Sequence, residues 1–117
     1  MTRQLASNDI GRPDDQLLSE LVRRIVDSVN PLRIILFGSS ARGNMGPHSD
    51  LDVLVIMPDG VHRRHIAQEA YKSLRGLGVS KDVVVVTEGD VRAHSANYSL
   101  VLHPALEEGK ELYHAVR

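Results

Sequence analysis

Two aspartates one residue apart, Asp50 and Asp52, stand at the start of an otherwise apolar run that continues to Ile56. Side chains in a strand alternate between its two faces, so both carboxylates are predicted on one face, about 7 Å apart along the chain. A carboxylate among apolar side chains needs a counter-charge, and residues 50–56 include no basic residue. Because Mg²⁺ and similar divalent cations prefer carboxylate oxygens, the pair predicts a metal site.

A glycine turn upstream of these acids has the features of a phosphate-binding site. The apolar run from Ile34 to Phe37 breaks at Gly38-Ser39, and a short polar helix is predicted near 40–43. The free N–H groups and the positive dipole end of such a helix attract phosphate. The turn lacks the Gly-Lys-Ser/Thr ending of a P-loop and the glycine spacing of a dinucleotide fingerprint, so neither of those motifs is predicted.

Taken together, the glycine turn and the acids resemble a known family signature. The chain resembles the DNA polymerase β-like nucleotidyltransferases in Phe37-Gly38-Ser39, ten intervening residues and then Asp50-Leu51-Asp52-Val53. A fuller pattern is similar to the minimal nucleotidyltransferases, small prokaryotic proteins of about this size: Gly38-Ser39-Ser40-Ala41-Arg42-Gly43 followed by Ser49-Asp50-Leu51-Asp52. The likeness is specific because all of its parts must occur in order and at the right separation.

The resemblance implies the roles of the acidic residues. Enzymes of this kind use two Mg²⁺ ions held by the acid pair and by a third aspartate on a later strand, with ATP or another nucleoside triphosphate as substrate. Asp82 is the best candidate for the third ligand, because it opens an apolar strand expected beside the second one; Asp59 and Glu88 are the other carboxylates considered. Catalytic and metal-binding roles are therefore assigned to Asp50, Asp52 and Asp82.

The same resemblance assigns the nucleotide-binding positions. Gly38 lets the backbone approach the phosphates closely, and Ser39 offers them a hydroxyl and an N–H. Arg42 either neutralises phosphate or braces the loop by pairing with an acid, and both roles stay open. Ser49, directly before the first acid, is expected to orient a metal ligand.

The activity that the resemblance implies is transfer of AMP from ATP to a hydroxyl. Minimal nucleotidyltransferases are commonly encoded with a HEPN-domain protein, and some are antitoxins that adenylylate a tyrosine of that toxin, so a HEPN toxin is the expected partner. Two alternatives stay open: a non-catalytic antitoxin with a vestigial nucleotide site, and a small-molecule nucleotidyltransferase of the aminoglycoside type, which usually carries a further helical domain. Incubation of the protein with its partner, labelled ATP and Mg²⁺ distinguishes the three. Label on the partner supports the first, inhibition of the toxin without label supports the second, and label only on an aminoglycoside supports the third.

Hydrophobic periodicity predicts a small α/β fold, in which a mixed sheet is flanked by helices. Helices are predicted at 13–29, 62–77, 87–95 and 97–108. The first ends at Asn30-Pro31, and the third begins with a capping box of Thr87 and Asp90. Strands are predicted at 33–37, 50–57, 80–86 and 110–114, the last at the edge of the sheet. The valine run 83–86 indicates a strand covered on both faces. His62 and His65 are predicted at an exposed helix start and not as metal ligands, since no third ligand is near.

Composition narrows the function further. The 117 residues carry a net charge of −1, with one Phe, three Tyr and no Trp, so neither a basic field nor stacking aromatics favour broad nucleic-acid binding. Cysteine is absent, which excludes disulfides and thiolate zinc sites and fits a reducing compartment. No apolar run approaches the roughly 18 residues of a membrane span. We expect a cytoplasmic protein with a flexible N-terminal segment at 1–12 and a single nucleotidyltransferase domain at 13–117.

Overall fold

The computed structural model describes residues 15–38, 50–94 and 108–116. Along these segments the elements are α1 (Asp15–Val29), β1 (Arg33–Phe37), β2 (Leu51–Met57), α2 (Arg63–Ser73), β3 (Lys81–Thr87), α3 (Glu88–His94) and β4 (Lys110–His114). The predictions for the segment 1–12, the helix near 40–43 and nearly all of the helix 97–108 lie outside the described residues.

The four strands form one mixed sheet in the order β3-β2-β1-β4. β1 pairs antiparallel with β2 and with β4, and β2 pairs parallel with β3. The predicted α/β class, with a mixed sheet and a short edge strand at 110–114, is therefore confirmed. β2 lies inside the sheet, which agrees with its nearly complete burial.

Strand alternation divides β2 between two apolar clusters. The odd-numbered side chains, Leu51 to Met57, pack in one cluster with the buried faces of α1 and α2. On the opposite face Leu54 and Ile56 pack with Ile35 of β1 and Val91 of α3. β3 contributes valines to both clusters, so the predicted cover on its two faces is confirmed. The same alternation assigns Asp52 to the face of Leu54 and Ile56.

Helix α1 forms because its apolar residues recur at helical spacing. Leu18, Leu21 and Ile25 are buried against the sheet. The helix ends where predicted: Asn30 adopts a left-handed φ of 51°, and the buried Pro31 cannot continue the helical hydrogen bonding.

One arginine joins α1 to the end of α2. Arg24 donates hydrogen bonds to the carbonyl oxygens of Arg75, at 2.8 Å, and Ser73, at 3.4 Å. Its Nε also donates to Glu20 at 2.7 Å. Carbonyls at a helix C-terminus lack intrahelical partners, so a guanidinium there stabilises both helices.

Helix α2 is shorter than predicted, since it ends at Ser73 and not at Leu77. The amide of Leu77 donates to the carbonyl of Leu74 at 3.1 Å, which is a turn of three residues and not of four. Gly76 and Gly78 follow with φ values of 77° and 88°. Periodicity alone extended the helix to Leu77, because that side chain still packs on the core after the helix has ended.

Helix α3 begins with the predicted capping box. The N–H of Thr87 donates to Oδ2 of Asp90 at 2.9 Å, and the N–H of Asp90 donates to Oγ1 of Thr87 at 3.2 Å. Arg63, at the start of α2, donates two hydrogen bonds to the same carboxylate, at 2.9 and 2.8 Å. That guanidinium is the main reason that the pKa of Asp90 lies below its usual range.

None of the helices in the described segments combines the length and the apolar character needed to cross a bilayer.

Candidate active site

Asp52 and Asp82 are register partners in neighbouring parallel strands. Side chains of such partners project from the same face of a sheet, and adjacent strands lie about 4.8 Å apart. The two aspartates stand near the beginnings of β2 and β3, at one end of the sheet. The structure therefore brings together two of the three predicted acids.

On its other side, Asp52 contacts the glycine turn. Phe37, the last residue of β1, is the register partner of Asp52, and Gly38 follows with a φ of 71°. A β-carbon at position 38 would overlap Oδ2 of Asp52 and lie 3.2 Å from its Cγ. Glycine is thus required here for two reasons, a left-handed backbone and the close approach of a carboxylate.

These contacts form a row across three strands, which we call the Gly38-Asp52-Asp82 row. Gly38 ends β1, Asp52 lies in the central strand β2, and Asp82 lies in β3, an edge strand of the sheet. Asp52 is half-buried and Asp82 is exposed. The row thus runs from a backbone position suited to phosphate towards a carboxylate at the sheet edge.

Asp50 lies just before β2 and is exposed. The first paired residue is Leu51, whose N–H donates to the carbonyl of Ser80 at 2.9 Å. The alternation that predicted both acids on one face therefore applies to Asp52, while Asp50 stands one residue beyond the paired strand. No group of three His, Asp or Glu side chains converges as a metal site among the residues that the structure describes.

The donor set nevertheless suits Mg²⁺. The Gly38-Asp52-Asp82 row offers carboxylate oxygens, the hard ligands that this ion prefers, and contains no nitrogen or sulfur donor. Mg²⁺ is usually held by one or two protein carboxylates together with substrate phosphates, and not by a cage made of protein alone. Two acids on one face, one of them in direct contact with the glycine turn, fit that pattern.

Asp82 has a partner that sequence reasoning did not identify. Tyr71 of α2 donates a hydrogen bond from its hydroxyl to Oδ1 of Asp82 at 3.2 Å, and the N–H of Val83 donates to the same hydroxyl oxygen at 2.9 Å. The available signal was weak: Tyr71 follows a buried alanine of α2, a position from which a long side chain can reach the strand beside the helix.

Asp59 and Glu88, the other carboxylates considered as third ligands, lie near the far ends of β2 and β3 from Asp52. Asp59 accepts hydrogen bonds from the N–H of Gly89 and from Arg92, both at 2.8 Å. The Gly89 amide, followed by the Arg92 guanidinium, lowers the pKa of Asp59. Asp59 therefore holds the beginning of α3, and the geometry favours Asp82 as the third acid.

The remaining predicted residues fall into two groups. Ser39, Arg42 and Ser49 lie outside the described residues. His62 and His65 are exposed at the start of α2, as predicted, and Nδ1 of His62 accepts a hydrogen bond from the N–H of His65 at 3.2 Å. The first histidine is an N-cap of the helix, which explains its position without a metal.

Comparison with known proteins connects this geometry to a family. A family model described as a nucleotidyltransferase domain matches residues 18–107, which include the entire Gly38-Asp52-Asp82 row. No curated protein sequence gives a significant match.

Solved structures show the same fold. A toxin-antitoxin crystallised with AMP-PNP matches with a TM-score of 0.60 and 25% identity over 84% of this chain and 73% of that chain. A putative nucleotidyltransferase from Sulfolobus solfataricus matches with a TM-score of 0.57 and 20% identity, over 85% and 78%. A chain in the complex of a tri-AMPylated Shewanella oneidensis HEPN toxin with an MNT antitoxin matches with a TM-score of 0.54 and 22% identity, over 86% and 71%.

Proposed function

Because this chain belongs to the nucleotidyltransferase domain family, we propose that it transfers AMP from ATP to a tyrosine hydroxyl of a HEPN-domain toxin in the cytoplasm and thereby acts as its antitoxin. The observation that carries this proposal is the Gly38-Asp52-Asp82 row, in which a carboxylate lies directly against a glycine turn on one side and beside a second carboxylate on the other. Nucleotidyl transfer needs this order of groups, since phosphate and acceptor must meet at shared metal ions.

In this proposal Asp52 is the central ligand. It lies between the glycine turn and Asp82, so its carboxylate would hold Mg²⁺ together with Asp82, with Asp50 as a further ligand. The metal, when bound, would neutralise charge on the phosphates and lower the pKa of the acceptor hydroxyl. Gly38, Ser39 and Arg42 are the proposed phosphate contacts, with Ser49 supporting the acid pair.

Asp82 is assigned to the acceptor side of the site. It is exposed and stands on an edge strand, where the hydroxyl of a bound protein can approach. The acceptor oxygen bonds to the α-phosphorus, the bond between that phosphorus and the pyrophosphate oxygen breaks, and the hydroxyl proton passes to the Asp82 carboxylate. The products are an adenylylated tyrosine and pyrophosphate.

The nature of the partner is supported by the similar structures. One is described as a toxin-antitoxin with AMP-PNP, and another contains a tri-AMPylated HEPN toxin bound to an MNT antitoxin. AMP on a protein is the product expected when the acceptor hydroxyl belongs to a bound partner. An exposed carboxylate on a sheet edge, as in Asp82, is accessible to such a macromolecular acceptor.

One observation favours a second candidate, a non-catalytic antitoxin: no group of three potential metal ligands converges within the described segments. A protein that neutralises a toxin by covering it needs neither the metal nor the transfer step. The two candidates make opposite predictions for the chemistry of the partner.

The experiment uses the protein with a HEPN-domain protein from the same organism, α-labelled ATP and Mg²⁺. We expect label on the partner, lost in Asp52→Asn and strongly reduced in Asp82→Asn, but retained in Asp27→Asn, a matched exposed acid on α1. Inhibition of the toxin without label would support the second candidate. Label appearing only on an added aminoglycoside would instead identify a small-molecule enzyme.

A further inference from the structure

The hydroxyl of Tyr71 makes two hydrogen bonds at the edge of β3. It accepts one from the N–H of Val83 at 2.9 Å and contacts Oδ1 of Asp82 at 3.2 Å. An ionised carboxylate can only accept, so the hydroxyl is the donor in the second bond. A single oxygen atom therefore links α2 both to the strand backbone and to a proposed metal ligand.

The position of this hydroxyl is set by rigid parts of the fold. Tyr71 lies between Ala70 and Leu74, both fully buried in the core. Arg24 binds carbonyl oxygens at the C-terminal end of α2, while Arg63 at its start forms two hydrogen bonds with α3. The helix is held at both ends, so the Tyr71 backbone has a fixed position beside the strand, and the two hydrogen bonds of the hydroxyl hold the exposed ring against its edge.

The edge of the sheet explains why a hydroxyl is needed there. Among the described strands β3 pairs only with β2, and the N–H of Val83 donates to the Tyr71 hydroxyl. Tyr71 thus satisfies a donor on a strand edge, which is one way that proteins protect such edges. The bond to Val83 is enough to cover the edge. The second hydrogen bond of the Tyr71 hydroxyl, to the Asp82 carboxylate, is not needed for that purpose.

We propose that Tyr71 is a positioning residue, whose hydroxyl fixes the Asp82 carboxylate so that its second oxygen faces the Mg²⁺ and nucleotide site beside Asp52. This inference rests on the proposed function. Among the described residues Tyr71 is the hydrogen-bond partner of Asp82, and with Oδ1 engaged, Oδ2 is the oxygen that would hold the ion. Partners of this kind orient metal-bound carboxylates, and their loss typically costs about 10–100-fold in metal affinity or activity.

The test measures Mn²⁺ binding by electron paramagnetic resonance, in the presence of AMP-PNP, on the full chain. Tyr71→Phe keeps the ring and removes the hydroxyl, and we expect it to weaken Mn²⁺ binding by about 10-fold or more. Tyr113→Phe is the matched control, because that tyrosine lies on β4 at the other edge of the sheet and should bind Mn²⁺ as wild type does. Wild-type affinity in Tyr71→Phe would overturn the proposal.

A double-mutant cycle shows whether Tyr71 acts through Asp82. If it does, Tyr71→Phe has no further effect on Mn²⁺ affinity in the Asp82→Asn background. If Tyr71 only supports the strand edge, its effect is the same in both backgrounds, and the proposal is wrong. A different result would show that the proposed function itself is wrong: Asp52→Asn would then bind Mn²⁺ and transfer AMP as wild type does.

A second measurement tests the proposal with Tyr71 in place, so its result does not depend on whether Tyr71→Phe folds. Wild-type protein labelled with 3-fluorotyrosine contains three labelled tyrosines, and the Tyr71 signal is identified after the other two are replaced by Phe. We expect Mg²⁺ with AMP-PNP to shift this fluorine resonance, because the hydroxyl bonds directly to a proposed ligand. A resonance unchanged at saturating Mg²⁺ and nucleotide would contradict the proposal.

Discussion

Gly38 and Asp52 approach so closely that a β-carbon on the glycine would overlap the carboxylate oxygen. The contact joins the end of β1 to the central strand β2, and it brings the turn expected to bind phosphate to the acid expected to bind metal. The register of β2 with β3 then places Asp82 beside Asp52, so strand pairing sets the relative positions of these three residues.

Gly38→Ala should abolish AMP transfer and destabilise the fold. The left-handed φ of 71° alone costs a residue with a β-carbon about 1–3 kcal/mol, and displacement of Asp52 adds to that. Gly76→Ala is the control, since Gly76 has a similar φ of 77° but nothing within 4 Å of the added carbon. Urea denaturation and labelled AMP transfer measure the two effects. Equal activity in the two variants would show that the contact with Asp52 is unimportant.

Asp52→Asn should leave the metal-free protein as stable as wild type or more stable. Asp52 and Asp82 are neighbouring carboxylates, so neutralising one relieves repulsion when no cation is bound. Mg²⁺ with AMP-PNP should raise the unfolding temperature of wild type by mass action and have little effect on the variant. Thermal unfolding with and without ligand tests this. A ligand-induced rise of the same size in Asp52→Asn would remove that residue from the site.

Arg24→Ala should cost about 1–2 kcal/mol of the free energy of unfolding, because its guanidinium bonds to the carbonyls of Ser73 and Arg75 at the end of α2. The neighbouring Arg23 is the control: its hydrogen bonds reach Glu20 and Asp27 on the surface of α1, so Arg23→Ala should change stability much less than Arg24→Ala does. Denaturant titration of both variants decides the matter. Similar losses would mean that the link between α1 and α2 contributes little.

The low pKa of Glu20 in the folded protein predicts that stability is lost in acid. Hydrogen bonds from Arg23 and then Arg24 lower its pKa from 4.5 to about 2 in the folded protein. A depressed folded pKa contributes stability that is present above the unfolded value and is lost as pH falls from about 4.5 towards 2. Glu20→Gln should therefore show a shallower loss of stability in this window, measured by denaturation at pH 6 and pH 3. An identical pH dependence in the two proteins would contradict the assignment.

The sequence was sufficient to predict where the strands lie. Alternation and β-branched residues located β1, β2 and β3 to within one residue at each end. The expectation that β3 lies beside β2 is confirmed, and this pairing brings Asp82 next to Asp52. Such predictions succeed because strand pairing brings residues together by register, which depends on local pattern.

Contacts between a helix and a strand could not be predicted in the same way. The bond between Tyr71 and Asp82, and the attachment of Asp59 to the beginning of α3, both depend on how helices pack on the sheet. The end of α2 at Ser73 was missed because Leu77 keeps the apolar spacing after the helical hydrogen bonds have ceased. Hydrophobic spacing reports burial and not backbone hydrogen bonding, so the two can separate at a helix end.

The most direct test of the site is a crystal structure of the protein with Mg²⁺ and AMP-PNP. We expect Mg²⁺ about 2.0–2.1 Å from carboxylate oxygens of Asp52. Asp82 should face the same metal site, and the triphosphate should lie against Gly38. A nucleotide bound away from Gly38, or a metal coordinated without Asp52, would contradict the account.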